Sequence, residues 1–498
     1  MADRSVILAI DQGTTSTRAI LFSKNLEVLA VRQKELKSHY PHKGWVEQNP
    51  ETIWQDALQV CRAILEHDDI VGSVAAIGIT NQRETTILWD RKTGKPVYPA
   101  IVWQDRRTGV SCERLKVQGC EPLVTARTGL LFDPYFSATK IAWILDNVEG
   151  ARFRAMRGEL AFGTVDCYLL WHLTGGKVHA TDATNAARTS LFNIVEQRWD
   201  TDLLALFNIP EAIFPEVHDN AARFGMTDPI LFGREIPVGG MAGDQHAALI
   251  GQRCFQPGMV KSTYGTGCFT LMNIGSDFKS SQHRLLTTPA YRLNGKITYA
   301  IEGSIFIAGA AIQWLRDGLE FFRDAAASEA LANSVSDSNE VYFVPAFTGL
   351  GAPYWRPDVR GMISGLSRDT TRAHIVRAAL EAQGYQTLDL MVAMEQDSDH
   401  QAAVIRVDGG LVANRFMCQF LADMLNKPIE VPKTTEATAL GAAILAGLTA
   451  GLFADLEATE SYWQRSEVYI PVMEKIERER LYAGWKAAVR SLLYNSKS

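Results

Sequence analysis

Two stretches of the chain, about half its length apart, share one order of apolar strand, glycine- and hydroxyl-rich turn, and second apolar strand. A further short strand is predicted after the first stretch. The predicted segments are 6–10, 11–17, 19–22 and 28–31 in the first stretch, and 258–264, 265–267 and 269–272 in the second. Self-similarity of this kind predicts an internal duplication of one α/β unit.

Between these stretches, short apolar runs alternate with the 3.6-residue period of amphipathic helices, which is typical of an α/β protein. Strands are predicted at 74–79 and 404–407, and helices at 51–67, 372–394 and 436–450. A single hydrophobic core stops growing near ~250–300 residues. The 498 residues therefore require at least two domains, which we place at 1–250 and 251–498.

Charge and composition narrow the function classes. The chain carries 50 Lys and Arg against 56 Asp and Glu, a net charge of −6, which argues against nucleic acid as a partner. The apolar run 6–10 is too short for a secretory signal, and the most apolar stretch, 438–453, is too rich in Ala, Gly and Thr for stable membrane insertion. Seven cysteines without a Cys-x-x-Cys pair fit a reduced, cytoplasmic protein.

The turn that follows Asp11 is the strongest local candidate for chemistry. A carboxylate ends an apolar strand, and Gly13 and three hydroxyl residues follow, which offers backbone N–H groups and side-chain donors to a phosphate. The chain has no Gly-x-x-x-x-Gly-Lys-[Ser/Thr] sequence, so a Walker A loop is excluded. Similar glycine turns lie at 265–267 and 407–410. Each turn alone fits an ordinary hairpin or strand-to-helix connection equally well.

Together, the three turns resemble the two phosphate elements and the adenosine element of the actin-like, ribonuclease-H-fold ATPases. Within that superfamily the chain resembles the FGGY carbohydrate kinases over nearly its whole length. The matching words are AIDQGTTS (9–16), GWVEQ (44–48), NQRE (81–84), VWQDR (102–106), AGDQ (242–245), YGTGCF (264–269), LGAPYW (350–355) and YAGW (482–485).

This resemblance implies two ribonuclease-H-like α/β domains that face each other across a nucleotide-binding cleft. It also implies an enzyme that uses ATP to phosphorylate glycerol to sn-glycerol 3-phosphate. A kinase for another polyol or ketose, such as xylulose, is an alternative in the same fold, although the aromatic residues of the expected pocket favour the smaller substrate. An actin-like ATPase without an acceptor is a further alternative from a different class.

The resemblance also assigns residues to roles. It implies that Asp244, after the glycine-rich loop 239–243, is the general base, and that Asp11 positions Mg²⁺ through water. The polyol contacts that it implies are Arg83, Glu84, Trp103, Tyr135, Asp244, Gln245 and Phe269. The ATP contacts that it implies are Thr14, Thr15, Ser16, Arg18, Thr266, Gly309, Gln313, Gly410 and Asn414.

Relatives are commonly homodimers or homotetramers, which the resemblance extends to this chain. Three departures bear on regulation. The stretch 228–235 lacks the glycine-rich loop that binds fructose 1,6-bisphosphate in some bacterial relatives, and 220–224 lacks a phosphorylatable His. The stretch 471–477 resembles in part the surface that binds a phosphotransferase regulator: Glu477 matches it, whereas Lys475 and Ile476 depart from it, so the resemblance does not carry this partner over.

Overall fold

The computed structural model describes residues 5–66, 74–356 and 358–495. Its strands are β1 Val6–Gln12, β2 Ser16–Ser23, β3 Val28–Glu35, β4 Glu47–Gln48, β5 Val74–Asn81, β6 Ile87–Asp90, β7 Ala100–Ile101, β8 Leu160–Gly163, β9 Ala180–Asp182, β10 Phe192–Asn193, β11 Arg198–Trp199, β12 Glu216–His218, β13 Ala221–Met226, β14 Pro237–Gly243, β15 Val260–Tyr264, β16 Cys268–Gly275, β17 Leu286–Leu293, β18 Lys296–Ile305, β19 Tyr342–Val344, β20 Met362–Ser364, β21 Ile405–Asp408, β22 Ile429–Pro432 and β23 Arg465–Tyr469.

The helices cover the sheets and the space between them. They are α1 Pro50–Ile64, α2 Gly109–Val117, α3 Glu121–Thr128, α4 Ser137–Asn147, α5 Ala151–Met156, α6 Val165–Leu173, α7 Ala183–Ala187, α8 Thr201–Leu206, α9 Pro229–Phe232, α10 Asp244–Gly251, α11 Gly309–Asp317, α12 Ala325–Asn333, α13 Arg372–Ser398, α14 Arg415–Leu425, α15 Ala437–Thr449 and α16 Lys475–Asn495. Over the part of the chain that the structure describes, none of them has the length and apolar character needed to cross a membrane.

Each half of the chain contains one large sheet, and the two sheets have the same core topology. The first has the order β13-β14-β5-β1-β2-β3, and the second has the order β23-β22-β21-β15-β16-β18 with β17 added at its edge. In both, an antiparallel meander is followed by two parallel strands and one antiparallel edge strand. This equivalence agrees with the duplication predicted from the two turns.

The predicted elements are present with shifted ends. The strand predicted at 28–31 continues to Glu35 because it pairs along β2, and the helix predicted at 372–394 continues to Ser398. The helix predicted at 51–67 begins at Pro50, with Asn49 as its N-cap, and ends at Ile64; His67 lies outside the described residues. The stretch 239–243 is not a loop but part of the buried strand β14.

The glycines of β14 have a packing reason. Helix α15, from the second half of the chain, lies against one face of the first sheet, where its apolar residues join those of β1 and β2 in one core. A Cβ on Gly240 would lie 2.5 Å from the Ala446 backbone nitrogen, so only glycine admits the helix at this distance. Helices α10 and α15 also cross closely, since a methyl group on Gly441 would overlap the Ala247 carbonyl.

Candidate active site

The candidate polyol contacts begin at the carboxyl end of β5. The Gln82 amide donates to the carbonyl of Gln12 at 2.7 Å, which holds the segment after β5 beside the first turn. Glu84 has a left-handed backbone (φ 60°), and its side chain is buried. Backbone strain of this kind in a non-glycine residue is concentrated at functional sites. The segment thereby presents Arg83 and Glu84 to one space.

Arg83 is the hub of this space. Its Nε lies 3.0 Å from Asp244 Oδ1, and its Nη2 donates to the Tyr135 hydroxyl at 3.3 Å. Its two terminal nitrogens also bind both oxygens of Glu302, at 2.6 and 3.2 Å. A fork-to-carboxylate bond fixes the plane of the guanidinium as well as its position. Three residues predicted from the resemblance, Arg83, Asp244 and Tyr135, are therefore in direct contact.

Two further charged residues, Arg188 and Glu302, complete a buried network that the sequence analysis did not predict. Arg188 donates from Nε to Glu84 Oε1 at 2.6 Å and from Nη2 to Glu302 Oε1 at 3.0 Å. Burial raises the pKa of Glu84, an effect that exceeds the opposing influence of Arg83 and Arg188. For Glu302, burial acts in the same direction, but the two guanidiniums outweigh it and lower the pKa to about 2.

Three aromatic rings form the apolar side of the space. Trp103 meets Tyr135 edge to face at 5.5 Å between ring centroids, and it meets Phe269 from the second half at 6.3 Å. The Trp103 Nε1 donates to the Thr14 hydroxyl at 2.9 Å, which ties the aromatic wall to the first turn. Apolar rings on one side and charged groups on the other suit a small molecule that carries several hydroxyl groups.

Asp244 is the first residue of α10, directly after β14. Its carboxylate is about one third exposed, whereas Arg83 is buried, so one side of the carboxylate remains open to solvent or to a ligand. Gln245 accepts a hydrogen bond from the Lys261 ammonium, which also donates to the Phe269 carbonyl at 3.3 Å. Burial lowers the pKa of Lys261 despite the neighbouring carboxylates. Lys261 thus places a second cation close to Asp244.

The first turn is held open by side-chain amides. The Gly13 amide donates to the Ser16 carbonyl at 2.9 Å, which closes the turn and leaves Thr14 and Thr15 at its tip. Gln48 donates to the Thr14 carbonyl at 2.7 Å, and Gln82 donates to Gln48 at 2.8 Å. These side-chain amides fix the backbone of the turn, and its threonine residues offer N–H groups and hydroxyl protons to a phosphate.

Arg18 and Asp11 lie below this turn on paired strands. Arg18 donates to Asp11 and, at 2.6 Å, to Glu436 at the start of α15. Burial raises the pKa of Asp11, and this effect exceeds the lowering caused by Arg18. The charge of the nearby Asp244 raises the pKa of Asp11 further. Among the described side chains, no group of three or more His, Cys, Asp or Glu could hold a metal alone. A carboxylate beside a phosphate turn nevertheless suits a hydrated Mg²⁺, which takes most of its ligands from water and phosphate.

The nucleotide elements predicted in the second half converge on the turn 265–267. Thr266 is exposed at its tip, and the Gly309 amide donates to the Gly265 carbonyl at 2.9 Å. A Cβ on Gly309 would lie 2.6 Å from that oxygen, so α11 can start here only with glycine. Gly409 has a φ of +97° and lies against Tyr264, which brings the strand-to-helix turn to the same place.

Three other predicted contacts, Gln313, Gly410 and Asn414, lie on or directly before the helices that follow these turns. Gln313 is exposed on α11, one turn after Gly309. Gly410 is exposed in the turn before α14. Asn414 is buried, where its Oδ1 accepts from the Met417 amide and caps α14. Asn414 therefore has a structural role, and its Nδ2 donates to Ser328 at 3.2 Å.

Two of the three charged residues that the sequence analysis missed share one signal, whereas Arg188, at the end of α7, lacks it. Lys261 and Glu302 are ionisable residues within otherwise apolar or hydroxyl-bearing buried strands. A wholly buried charge requires a partner or a function. That argument could have selected both residues from the sequence, although not their partners.

Comparison with known proteins agrees with this geometry. Residues 6–251 match the N-terminal domain of the FGGY family of carbohydrate kinases, and residues 260–450 match the C-terminal domain. The chain is 83% identical to a glycerol kinase of Nitrosomonas eutropha over 100% of both chains. It is 59% identical to a glycerol kinase of Rhodospirillum rubrum over 97% of this chain and 98% of that one.

Solved structures extend the comparison. The structure of Plasmodium falciparum glycerol kinase with ADP matches with a TM-score of 0.94 at 35% identity, over 98% of each chain. A xylulose kinase from Lactobacillus acidophilus matches with a TM-score of 0.90 at 22% identity, over 99% of this chain and 100% of that one, which shows similarity of fold. The predicted resemblance and fold class are confirmed.

Proposed function

The chain belongs to the FGGY family of carbohydrate kinases, and from this premise we propose that it transfers a phosphoryl group from ATP to glycerol, forming sn-glycerol 3-phosphate. The observation that carries the proposal is the contact between Arg83 and Asp244, made beside the aromatic wall and the first turn. A phosphate cradle alone would serve any ATPase, whereas this arrangement adds a place for a hydroxyl acceptor.

Glycerol would lie with its carbon chain against Trp103 and Phe269 and its hydroxyls toward Arg83, Glu84, Tyr135 and Gln245. Arg83 and Tyr135 donate hydrogen bonds, and Glu84 accepts them. The wall supports a three-carbon substrate, because Trp103 contacts both Tyr135 and Phe269 and leaves little room for a longer chain.

Asp244 would accept the proton of the attacking hydroxyl. An aliphatic alcohol is a poor acid, so the proton is expected to move late, as the loose transition state of phosphoryl transfer forms. Arg83 holds the carboxylate at 3.0 Å and so restricts its orientation. Positioning therefore contributes most of the rate enhancement, and proton removal contributes a smaller part.

The turn residues would hold the nucleotide. Thr14, Thr15, Ser16 and Arg18 face its phosphates from the first half, and Thr266 faces them from the second. Gly309, Gln313, Gly410 and Asn414 would contact the remainder. Asp11 would position Mg²⁺ through water, and the ion would supply charge neutralisation on the transferred phosphoryl group when bound. The seven free cysteines support a cytoplasmic location for this reaction.

The test is a coupled ADP-release assay with Mg-ATP over glycerol, dihydroxyacetone, xylulose, ribulose and gluconate. Turnover should be strongest with glycerol, and Asp244→Asn should lower kcat by about 10²–10⁴-fold. Asp228→Asn is the matched control, because Asp228 caps the distant helix α9 and Asn preserves that cap.

Three outcomes would count against the proposal. Preferential turnover of xylulose would assign another sugar substrate within the family. ATP hydrolysis that does not depend on any acceptor would place the protein among the actin-like ATPases. Full activity of Asp244→Asn would remove the general base from the mechanism.

A further inference from the structure

Glu302 joins the two halves of the molecule through charged hydrogen bonds. It lies on β18 of the second half and is fully buried, and it binds Arg83 with both oxygens and Arg188 with one. Both arginines belong to the first half. Hydrogen bonds between ionised groups are shorter and stronger than neutral ones, and breaking a buried pair leaves an uncompensated charge. The position of Arg83 therefore depends on the position of β18.

The same strand supports the nucleotide elements. A Cβ on Gly267, in the second phosphate turn, would lie 2.7 Å from the Ile305 carbonyl oxygen and 2.9 Å from that of Phe306. The turn thus rests directly on the end of β18. The chain then enters α11 at Gly309, seven residues after Glu302. One strand consequently touches the polyol arginine on one side and the candidate phosphate turn at its end.

We propose that Glu302 is a positioning residue that couples polyol binding to nucleotide binding. Because Glu302 lies on β18, the position of this strand determines the position and orientation of the Arg83 guanidinium. The inference rests on the proposed function. A bound nucleotide that fixes the position of β18 relative to the first half would also orient Arg83 toward the polyol hydroxyls. Linkage requires the converse, so the polyol tightens the nucleotide by the same factor.

A merely structural role for Glu302 predicts a different result. In that case its loss would lower stability and weaken both ligands without changing their mutual effect. The two readings are separated by a ratio, namely the glycerol dissociation constant without nucleotide divided by the constant with nucleotide. Stability alone does not move this ratio.

The experiment measures that ratio by calorimetry, with glycerol titrated into the full chain alone and with saturating Mg²⁺ and a non-hydrolysable ATP analogue. In the unmodified protein we expect the analogue to tighten glycerol about 5–150-fold, the usual range of coupling between sites. In Glu302→Gln the ratio should fall close to one, while the affinity of the analogue without glycerol stays within about threefold. Glu302→Asp keeps the charge and should restore part of the ratio.

The matched control is Asp389→Asn. Asp389 is a buried carboxylate of α13 that accepts hydrogen bonds from Tyr354, Tyr482 and Trp485, away from Arg83. The Asp389→Asn variant should be less stable than the unmodified protein but should keep the same ratio of glycerol dissociation constants. An unchanged ratio in Glu302→Gln, or a ratio near one in the unmodified protein, would overturn the proposal. If Glu302→Gln does not fold, Glu302→Asp carries the test, and an unmodified ratio there would equally overturn it. Absence of glycerol turnover in the unmodified protein would instead refute the proposed function.

Discussion

The substitution Gly243→Ala tests the active-site geometry with one methyl group. Gly243 ends β14, caps α10 and directly precedes Asp244. Its φ of −60° and ψ of 150° are open to any residue, so alanine adds no backbone strain. The added Cβ would lie 2.7 Å from Cγ and 2.8 Å from Cδ of Arg83. The closest clash is therefore with the arginine, and His246 Nδ1 follows at 3.2 Å.

The size of the effect follows from these distances. A shift is forced below 3.0 Å and ordinary contact begins at 3.4 Å, so Arg83 or the start of α10 must move by about 0.3 to 0.7 Å from the 2.7 Å contact. Arg83 has little freedom, because Glu302 holds its terminal nitrogens and Asp244 its Nε. A displacement of about 1 Å at a catalytic site can cost about 100-fold, so we expect kcat/KM for glycerol to fall by about 10–100-fold. Overpacking should lower stability by about 1–3 kcal/mol.

The assay compares steady-state kinetics for glycerol and ATP with thermal unfolding. Gly109→Ala is the control, because Gly109 also begins a helix and a Cβ there would meet nothing within 4 Å. The control should retain wild-type kinetics and stability. If Gly243→Ala also retains wild-type kcat/KM for glycerol, the close approach of Gly243 and Arg83 is wrong, and with it the role assigned to Arg83.

Three further predictions concern other parts of the molecule. Gly309→Ala should raise KM for ATP at least about tenfold with less effect on glycerol, because its Cβ would meet the Gly265 carbonyl at 2.6 Å; equal effects on both substrates would contradict a nucleotide role. Burial lowers the pKa of His172 to about 4, so as the pH falls the unfolded chain binds a proton before the folded chain does, and the free energy of unfolding should decrease between pH 6.5 and 4. The difference between the urea midpoints at pH 7 and pH 5 should be smaller in His172→Phe than in the unmodified protein. An equal difference in the two proteins would exclude His172 as the cause. Millimolar fructose 1,6-bisphosphate should leave the rate unchanged, since the stretch 228–235 contains the short helix α9, and Arg234 beyond it donates to the Val74 carbonyl; clear inhibition would refute this.

The sequence was sufficient for the features that depend on neighbouring residues. The turn at 11–17 and its counterpart at 265–267 were recognisable because strand, glycine and hydroxyl residues are adjacent in the chain. Their strands form as predicted, with ends that shift by a few residues where pairing partners extend them. The stretch 239–243 was wrongly expected to be a loop, since its glycines reflect a helix that arrives about 200 residues later.

Partnerships across the chain could not be predicted. Arg83 and Glu302 are 219 residues apart, and Arg188 and Glu302 are 114 apart, so no local pattern links them. Asn414 was expected as a nucleotide contact, and the structure adds a helix-capping role that the sequence alone did not distinguish. The general base, the site residues and the domain boundary near 250 remain predictions.

The covering of the first sheet by α15 has a consequence for synthesis of the chain. The ribosome completes β14 at Gly243 but must add roughly 190 more residues before α15 begins at Ala437, which takes about 10–40 s at ~5–20 residues per second. Throughout that interval an apolar face built from β1, β2 and β5 lacks its permanent cover. Chaperone capture of the nascent chain should therefore be greatest in this window, and a fragment that stops near residue 250 should aggregate rather than fold as a free-standing unit.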